Sequence, residues 1–242
     1  MLAYAPPPRH HAITSSMDLP PPPAKPELPP EVHLPGEGSL LFRTDDDLAI
    51  EGLGLLPPSA QRVVVICHPH PLYGGTMHNA LVLVVAKRLL ERGQGRIGWL
   101  RFNFRGVGHS EGAYGAGTGE VADARAAIRE VRQHVHRRPV SVVGISFGTG
   151  PGYAAAVNEG GVDRVSLVTP SPRVMRIELG EYRGLVQVVA AGKDELCTPE
   201  ETEQLAKRLG AEVASIPEAD HQFKRFRRDV AGLVVPFAAP EI

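Results

Sequence analysis

From about residue 39 onward, short apolar runs alternate with longer segments in which apolar positions recur at helical spacing. Arg62 to Cys67, Ile97 to Phe104, Val140 to Gly144, Arg164 to Thr169, Leu185 to Ala190 and Glu212 to Ile216 are rich in Val, Ile and Leu without strict alternation. A strand with no polar face is buried on both sides, as strands are in a parallel sheet. Ser39 to Arg43 and Leu48 to Leu55 flank the acidic cluster Asp45 to Asp47 and predict an opening hairpin. Between the central strands, His78 to Arg92 sets Leu81, Val84, Val85 and Leu89 on one stripe and stops before Gly93, as a helix does. Glu120 to His136, Pro199 to Leu209 and Gln222 to Val235 read the same way. This alternation predicts an α/β fold, a mostly parallel sheet with helices on both faces. About 15 residues separate the strand ending at Thr169 from the next, too few for a cap domain.

Ahead of residue 39 the pattern gives way to proline. Pro6 to Pro8, Pro20 to Pro23, Pro26, Pro29, Pro30 and Pro35 favour extended, solvated chain. Residues 1–38 are therefore expected to form a Pro-rich disordered tail and 39–242 the folded domain, with Met17 a second candidate start. Lys plus Arg number 26 against 27 Asp plus Glu, so no overall field attracts nucleic acid or an acidic membrane, and neither is expected as a partner. Two cysteines, Cys67 and Cys197, make no disulfide framework. With no bilayer-length apolar run and no apolar signal-peptide core, the expected location is the cytoplasm. Monomer and homodimer both remain open.

The chain holds two Gly-x-Ser-x-Gly matches, Gly108 to Gly112 around Ser110 and Gly144 to Gly148 around Ser146. A nucleophilic serine needs a tight turn directly between strand and helix, where small neighbours let the backbone approach and the helix N-terminus faces developing negative charge. Ser146 follows the strand Val140 to Gly144 and leads into Tyr153 to Val157. Ser110 leads into the Gly-rich stretch Gly112 to Gly119, which disfavours helix and makes it a loop hydroxyl. Ser146 is the candidate nucleophile. Gly148, Gly150, Pro151 and Gly152 predict a distorted first turn after it.

Behind such a serine, the acid and then the histidine follow along the chain. Nine of the ten histidines precede Ser146, which leaves His221 as general base. Asp194 closes the turn after Leu185 to Lys193, at the sheet edge where binding residues of parallel folds collect, and is the candidate that orients the imidazole. Glu195 and Asp220 are its rivals. Acyl transfer also needs two donors for an oxyanion: the backbone N–H of Phe147, and one from the loop His68 to His78, where His70 carries the only N–H between Pro69 and Pro71. Leu72 and Tyr73 are fallback donors and candidate pocket residues. The same loop supports a competing reading, a metal-dependent hydrolase using His68, His70 and His78, although no second ligand cluster is visible. A third reading is a non-catalytic binding protein acting through its Pro-rich head. Arg105 to Ser110 meets neither phosphate-loop pattern.

Cys67 to Asn79, Leu100 to Ser110, Gly144 to Gly148 and Ala219 to His221, in this order, resemble the small lidless bacterial α/β-hydrolases related to dienelactone hydrolase and to serine esterases. The resemblance spans residues 39 to about 235. It implies an eight-stranded, mostly parallel sheet without a cap domain, a triad of Ser146, Asp194 and His221, and cleavage of esters or related acyl bonds without a cofactor or metal. Dienelactone hydrolase carries cysteine at the turn where this chain has Ser146, so small carboxylic esters, thioesters included, are expected over lactones. The partner is then a small-molecule acyl substrate, whose pocket is expected from Tyr73 to Met77, Gly112 to Gly119 and Pro170 to Tyr182.

Overall fold

A computed structural model of the chain describes residues 21–23, 27–135, 138–172 and 180–240. The strands are β1 (Gly38–Arg43), β2 (Ala49–Leu55), β3 (Arg62–Cys67), β4 (Ile97–Phe102), β5 (Val140–Ile145), β6 (Val162–Val168), β7 (Leu185–Ala191) and β8 (Glu212–Ile216). They form one eight-stranded sheet in the order β1-β2-β4-β3-β5-β6-β7-β8. The β1–β2 hairpin lies antiparallel to the rest at one edge, and all other neighbours are parallel. β3, β4 and β5 are buried at every position, as their unbroken apolar runs require.

Five helices are present among the described residues: α1 (Ala80–Gly93), α2 (Thr118–His134), α3 (Thr149–Asn158), α4 (Pro199–Leu209) and α5 (Arg227–Ala238). Residues of α2, α3 and α4 pack with one face of the sheet, including Ile128, Tyr153 and Ala206. Leu81, Val85 and Leu89 of α1 and Val230 and Val234 of α5 pack on the other. Each large apolar side chain buried in these layers contributes on the order of 1.5–3 kcal/mol to holding the helices on the sheet. None of the helices described is long and apolar enough to cross a membrane.

Three expectations need correction. The helix expected from Gln222 begins at Arg227, because Phe223 takes a left-handed φ of 48° that no α-helix accommodates. β4 stops at Phe102, short of Phe104. The chain also joins the fold before residue 39. The Val32 N–H donates to His78 Nδ1 at 3.0 Å, and Arg101 donates to the Val32 carbonyl at 2.6 Å. The side chain of Glu37 is wholly buried against Arg101. A lone acid between glycines carries no periodicity, so the pattern gives no sign of this anchor. Residues 1–20 and 24–26 of the expected tail lie outside the described residues.

Candidate active site

β5 ends at Ile145, and Ser146 follows with a φ of 51°, a left-handed conformation costly for a residue with a side chain. The chain then closes a 3-10 turn over Ser146–Gly148 and enters α3 at Thr149. Pro151 sits at the third position of α3, where its missing N–H breaks no helical bond, so the expected distortion takes the form of that 3-10 turn. The flanking glycines are sterically required. A Cβ on Gly148 would lie 2.5 Å from the Cys67 carbonyl oxygen, and one on Gly144 would lie 2.5 Å from Thr149 Cα. The turn thus packs hard against the end of β3.

The Ser146 hydroxyl lies 2.8 Å from His221 Nε2. On the other side of the ring, His221 Nδ1 lies 2.9 Å from each oxygen of Asp194. Asp194 Oδ1 also accepts the N–H groups of Leu196 at 2.8 Å and Cys197 at 3.2 Å, which fixes the carboxylate in the turn after β7. The rival Asp220 instead accepts the Lys224 N–H, so its carboxylate caps a turn. Glu195 makes no contact with the imidazole among the described residues.

The loop after β3 is gripped from β4. Phe104 N–H donates to His68 Nε2 at 3.1 Å, so the proton of this neutral ring is on Nδ1, which donates to the Pro69 carbonyl at 2.6 Å. Burial holds the imidazole neutral by lowering its pKa to about 3. All peptides described are trans, so a Pro69 carbonyl turned toward His68 sends the His70 N–H the opposite way. The His70 ring packs on Phe147 with centroids 4.7 Å apart. Further along the loop, Met77 is held at both ends: its N–H donates to Asn103 Oδ1 at 2.7 Å and its carbonyl accepts from Arg101 at 2.8 Å.

These contacts dispose of the metal reading of His68, His70 and His78. Both nitrogens of His68 are used by the backbone, His70 Nδ1 accepts the Leu72 N–H, and His78 Nδ1 accepts the Val32 N–H. No three His, Cys, Asp or Glu side chains gather as a metal site among the described residues. Ser110 is equally committed. Its hydroxyl donates to the Asn103 carbonyl at 2.7 Å and accepts the Glu51 N–H at 3.1 Å, so the second Gly-x-Ser-x-Gly match ties β2 to the turn after β4.

A cavity of about 420 Å³ opens over Ser146 and His221. Pro69, His70, Tyr73 and Gly75 wall it from one side, and Asn79, Ala80 and Leu81 bring the start of α1 to it. Leu196, Gln222 and Arg227 complete the lining; the sequence pattern gives no sign of these three or of the start of α1. Leu72 does not line this cavity. It borders a second hollow with Pro22, Leu28, Gly112 and Tyr114, because the 3-10 turn Pro71–Tyr73 directs successive side chains to different sides. The stretch Gly112 to Gly119 likewise contributes nothing to the cavity over Ser146, and residues 173–179 of the third expected wall lie outside the described residues.

No protein-family profile matches the chain. A curated relative, an uncharacterized protein of Rickettsia prowazekii, is 41% identical over 87 residues, which are 36% of this chain and 35% of that protein. The chain thus matches about a third of that relative's length. Solved structures cover far more. An α/β serine hydrolase homologue from Coxiella burnetii is 28% identical over 84% of this chain and 98% of its own, with a TM-score of 0.72. An α/β serine hydrolase without a lid from Xanthomonas campestris is 25% identical over 85% of this chain and 95% of its own, with a TM-score of 0.73.

The chain has the α/β-hydrolase fold without a lid. Its eight-stranded sheet and the 3-10 turn bearing Ser146 belong to that architecture, and no cap domain interrupts the fold among the described residues. An esterase of Pyrococcus furiosus shares the hydrolase fold at 15% identity, over 88% of this chain and 95% of its own, with a TM-score of 0.73.

Proposed function

We propose that this α/β-hydrolase cleaves small carboxylic esters, thioesters included, through an acyl-enzyme on Ser146. The observation that carries this reading is the unbroken line from the Ser146 hydroxyl through the His221 ring to the doubly anchored Asp194 carboxylate. In this reading, Ser146 Oγ attacks the acyl carbon while His221 Nε2 takes its proton, and Asp194 stabilises the imidazolium that results. The carbonyl π electrons move onto oxygen. The N–H of Phe147, second residue of the 3-10 turn and without an intrahelical acceptor, is one donor to that oxyanion. His70 supplies the other, with His68 as the group that sets its direction. Collapse expels the alcohol or thiol, which takes its proton from His221. Water, deprotonated by the same ring, then releases the acid and restores Ser146.

The reaction needs no cofactor, and the proposed partner is the small acyl substrate alone. Cys67 and Cys197 are buried thiols, which suits the reducing cytoplasm, the proposed location. The test is hydrolysis of 4-nitrophenyl butyrate by the purified chain and by Ser146→Ala and Asp194→Asn. Losses of at least about 10⁴-fold and about 10³- to 10⁴-fold in kcat are expected. Turnover by Ser146→Ala within tenfold of the parent would end the reading.

A further inference from the structure

Arg227 is, among the described residues, the one fully charged side chain in the lining of the cavity over Ser146. It is half-buried, and among the described residues it has no ion pair or side-chain hydrogen bond. Among the described residues neither Asp nor Glu lines the cavity to neutralise it, since Asp194 is screened behind the His221 ring with 3% of its side chain exposed. The buried arginines of this chain are partnered: Arg62 by Asp163, Arg101 by Glu37, and Arg105 by Asp46 and Asp123. Arg227 has no such partner, and its side chain lines the cavity over Ser146.

Its neighbourhood adds charge of the same sign. Lys224, Arg225 and Arg228 flank it, exposed and without an ion pair among the described residues, and with Arg227 they outnumber the acids of the same stretch, Asp220 and Asp229. Arg227 and Arg228 also occupy the first two positions of α5, where a cation opposes the helix dipole. Folding would be served better by an acid there. A cation kept at a cost to the helix, left unpaired and turned to a cavity calls for an anion supplied from outside.

We infer that the pocket accepts an acyl substrate bearing a second, anionic group, and that Arg227 is the specificity-determining residue that receives it. The inference rests on the serine-hydrolase reading. The anion is a carboxylate: one guanidinium offers the parallel pair of N–H donors that a carboxylate matches, whereas a phosphate dianion would call for further donors. The exposed Lys224, Arg225 and Arg228 steer the anion toward the cavity without contacting it.

The test compares two pairs of esters on the full-length chain. Monophenyl adipate carries its charge on the acyl side and 4-butyryloxybenzoate on the leaving side, and each is measured against its neutral methyl ester. For one pair, kcat/KM should favour the charged member about tenfold at low salt, as one charge-assisted contact in a partly open site allows, and the advantage should shrink as NaCl is raised. Arg227→Gln should abolish the preference, Arg227→Glu should invert it, and Arg227→Lys should retain part of it. Cleavage of all four esters with the same charged-to-neutral ratio in the parent and in Arg227→Gln would overturn this inference and leave the hydrolase reading standing. No cleavage of any ester, with no labelling of Ser146 by a fluorophosphonate, would overturn both.

Discussion

Glu37 and Arg101 meet 2.6 Å apart as an ion pair in which neither side chain reaches solvent. Glu37 also accepts from the Trp99 indole and the Leu34 N–H, while Arg101 reaches the carbonyls of Val32 and Met77. The pair therefore ties the N-terminal segment to the loop that carries His70. Removing one member leaves a buried charge without compensation, and Glu37→Ala should cost about 3–5 kcal/mol in urea unfolding.

The same carboxyl makes a pH prediction. Burial alone would raise its pKa, but the hydrogen bonds from Arg101, Trp99 and Leu34 outweigh burial and the net shift is downward. A depressed carboxyl contributes stability above its unfolded pKa of about 4.3 and loses it as pH falls through the folded value. The difference in unfolding free energy between the parent and Glu37→Gln should be full at pH 6 and shrink below about pH 4. A difference independent of pH would contradict the buried ion pair.

His68 acts in a higher window. It stays neutral in the fold down to about pH 3, whereas in the unfolded chain it takes a proton near 6.5. The unfolded state therefore binds one proton more between those values, and stability falls as pH falls. Between pH 6 and 5, before most carboxylates titrate, this adds a slope approaching about 1.4 kcal/mol per pH unit. His68→Asn should flatten that slope, measured by denaturant titrations half a pH unit apart.

Ser146 carries the left-handed backbone that glycine tolerates best. Ser146→Gly should therefore be more stable than Ser146→Ala by about 1 kcal/mol, although both lose the nucleophile. Gly148→Ala should do the reverse, costing about 1–3 kcal/mol as the new methyl pushes on the carbonyls of Cys67 and His68. Thermal unfolding of the three variants side by side checks the turn's geometry independently of any substrate.

The central strands β3 and β5 are legible in the sequence because burial on both faces selects apolar residues, as in the runs Val63 to Ile66 and Val140 to Val143, whereas the edge strand β8 is largely exposed despite its similar composition. Ser146 can be told from Ser110 by the segment behind each: Ala154 to Ala156 can continue a helix, and Gly115 to Gly119 cannot start one easily. Chain order alone singles out His221. The pocket's composition is not legible, because Leu196, Gln222 and Arg227 enter it from turns whose path depends on tertiary contacts. Phe223 is the example. Its left-handed φ ends any helix from Gln222 and leaves Arg227 at the start of α5, and no local propensity marks a phenylalanine for that role.

Ser110 is bound on both sides by backbone groups, so Ser110→Ala should cost about 1–3 kcal/mol of stability and leave turnover per folded molecule close to the parent's. Loss of turnover in a folded Ser110→Ala would place the chemistry at the wrong serine.

The central claim is that the Ser146 hydroxyl is activated by His221, and a fluorophosphonate probe reads that activation without knowledge of the substrate. Treatment of the folded full-length chain, with peptide mapping by mass spectrometry, should find the label on Ser146. It should persist in Ser110→Ala and disappear in His221→Ala. A label on Ser110, or a folded chain that takes no label at all, would contradict the account.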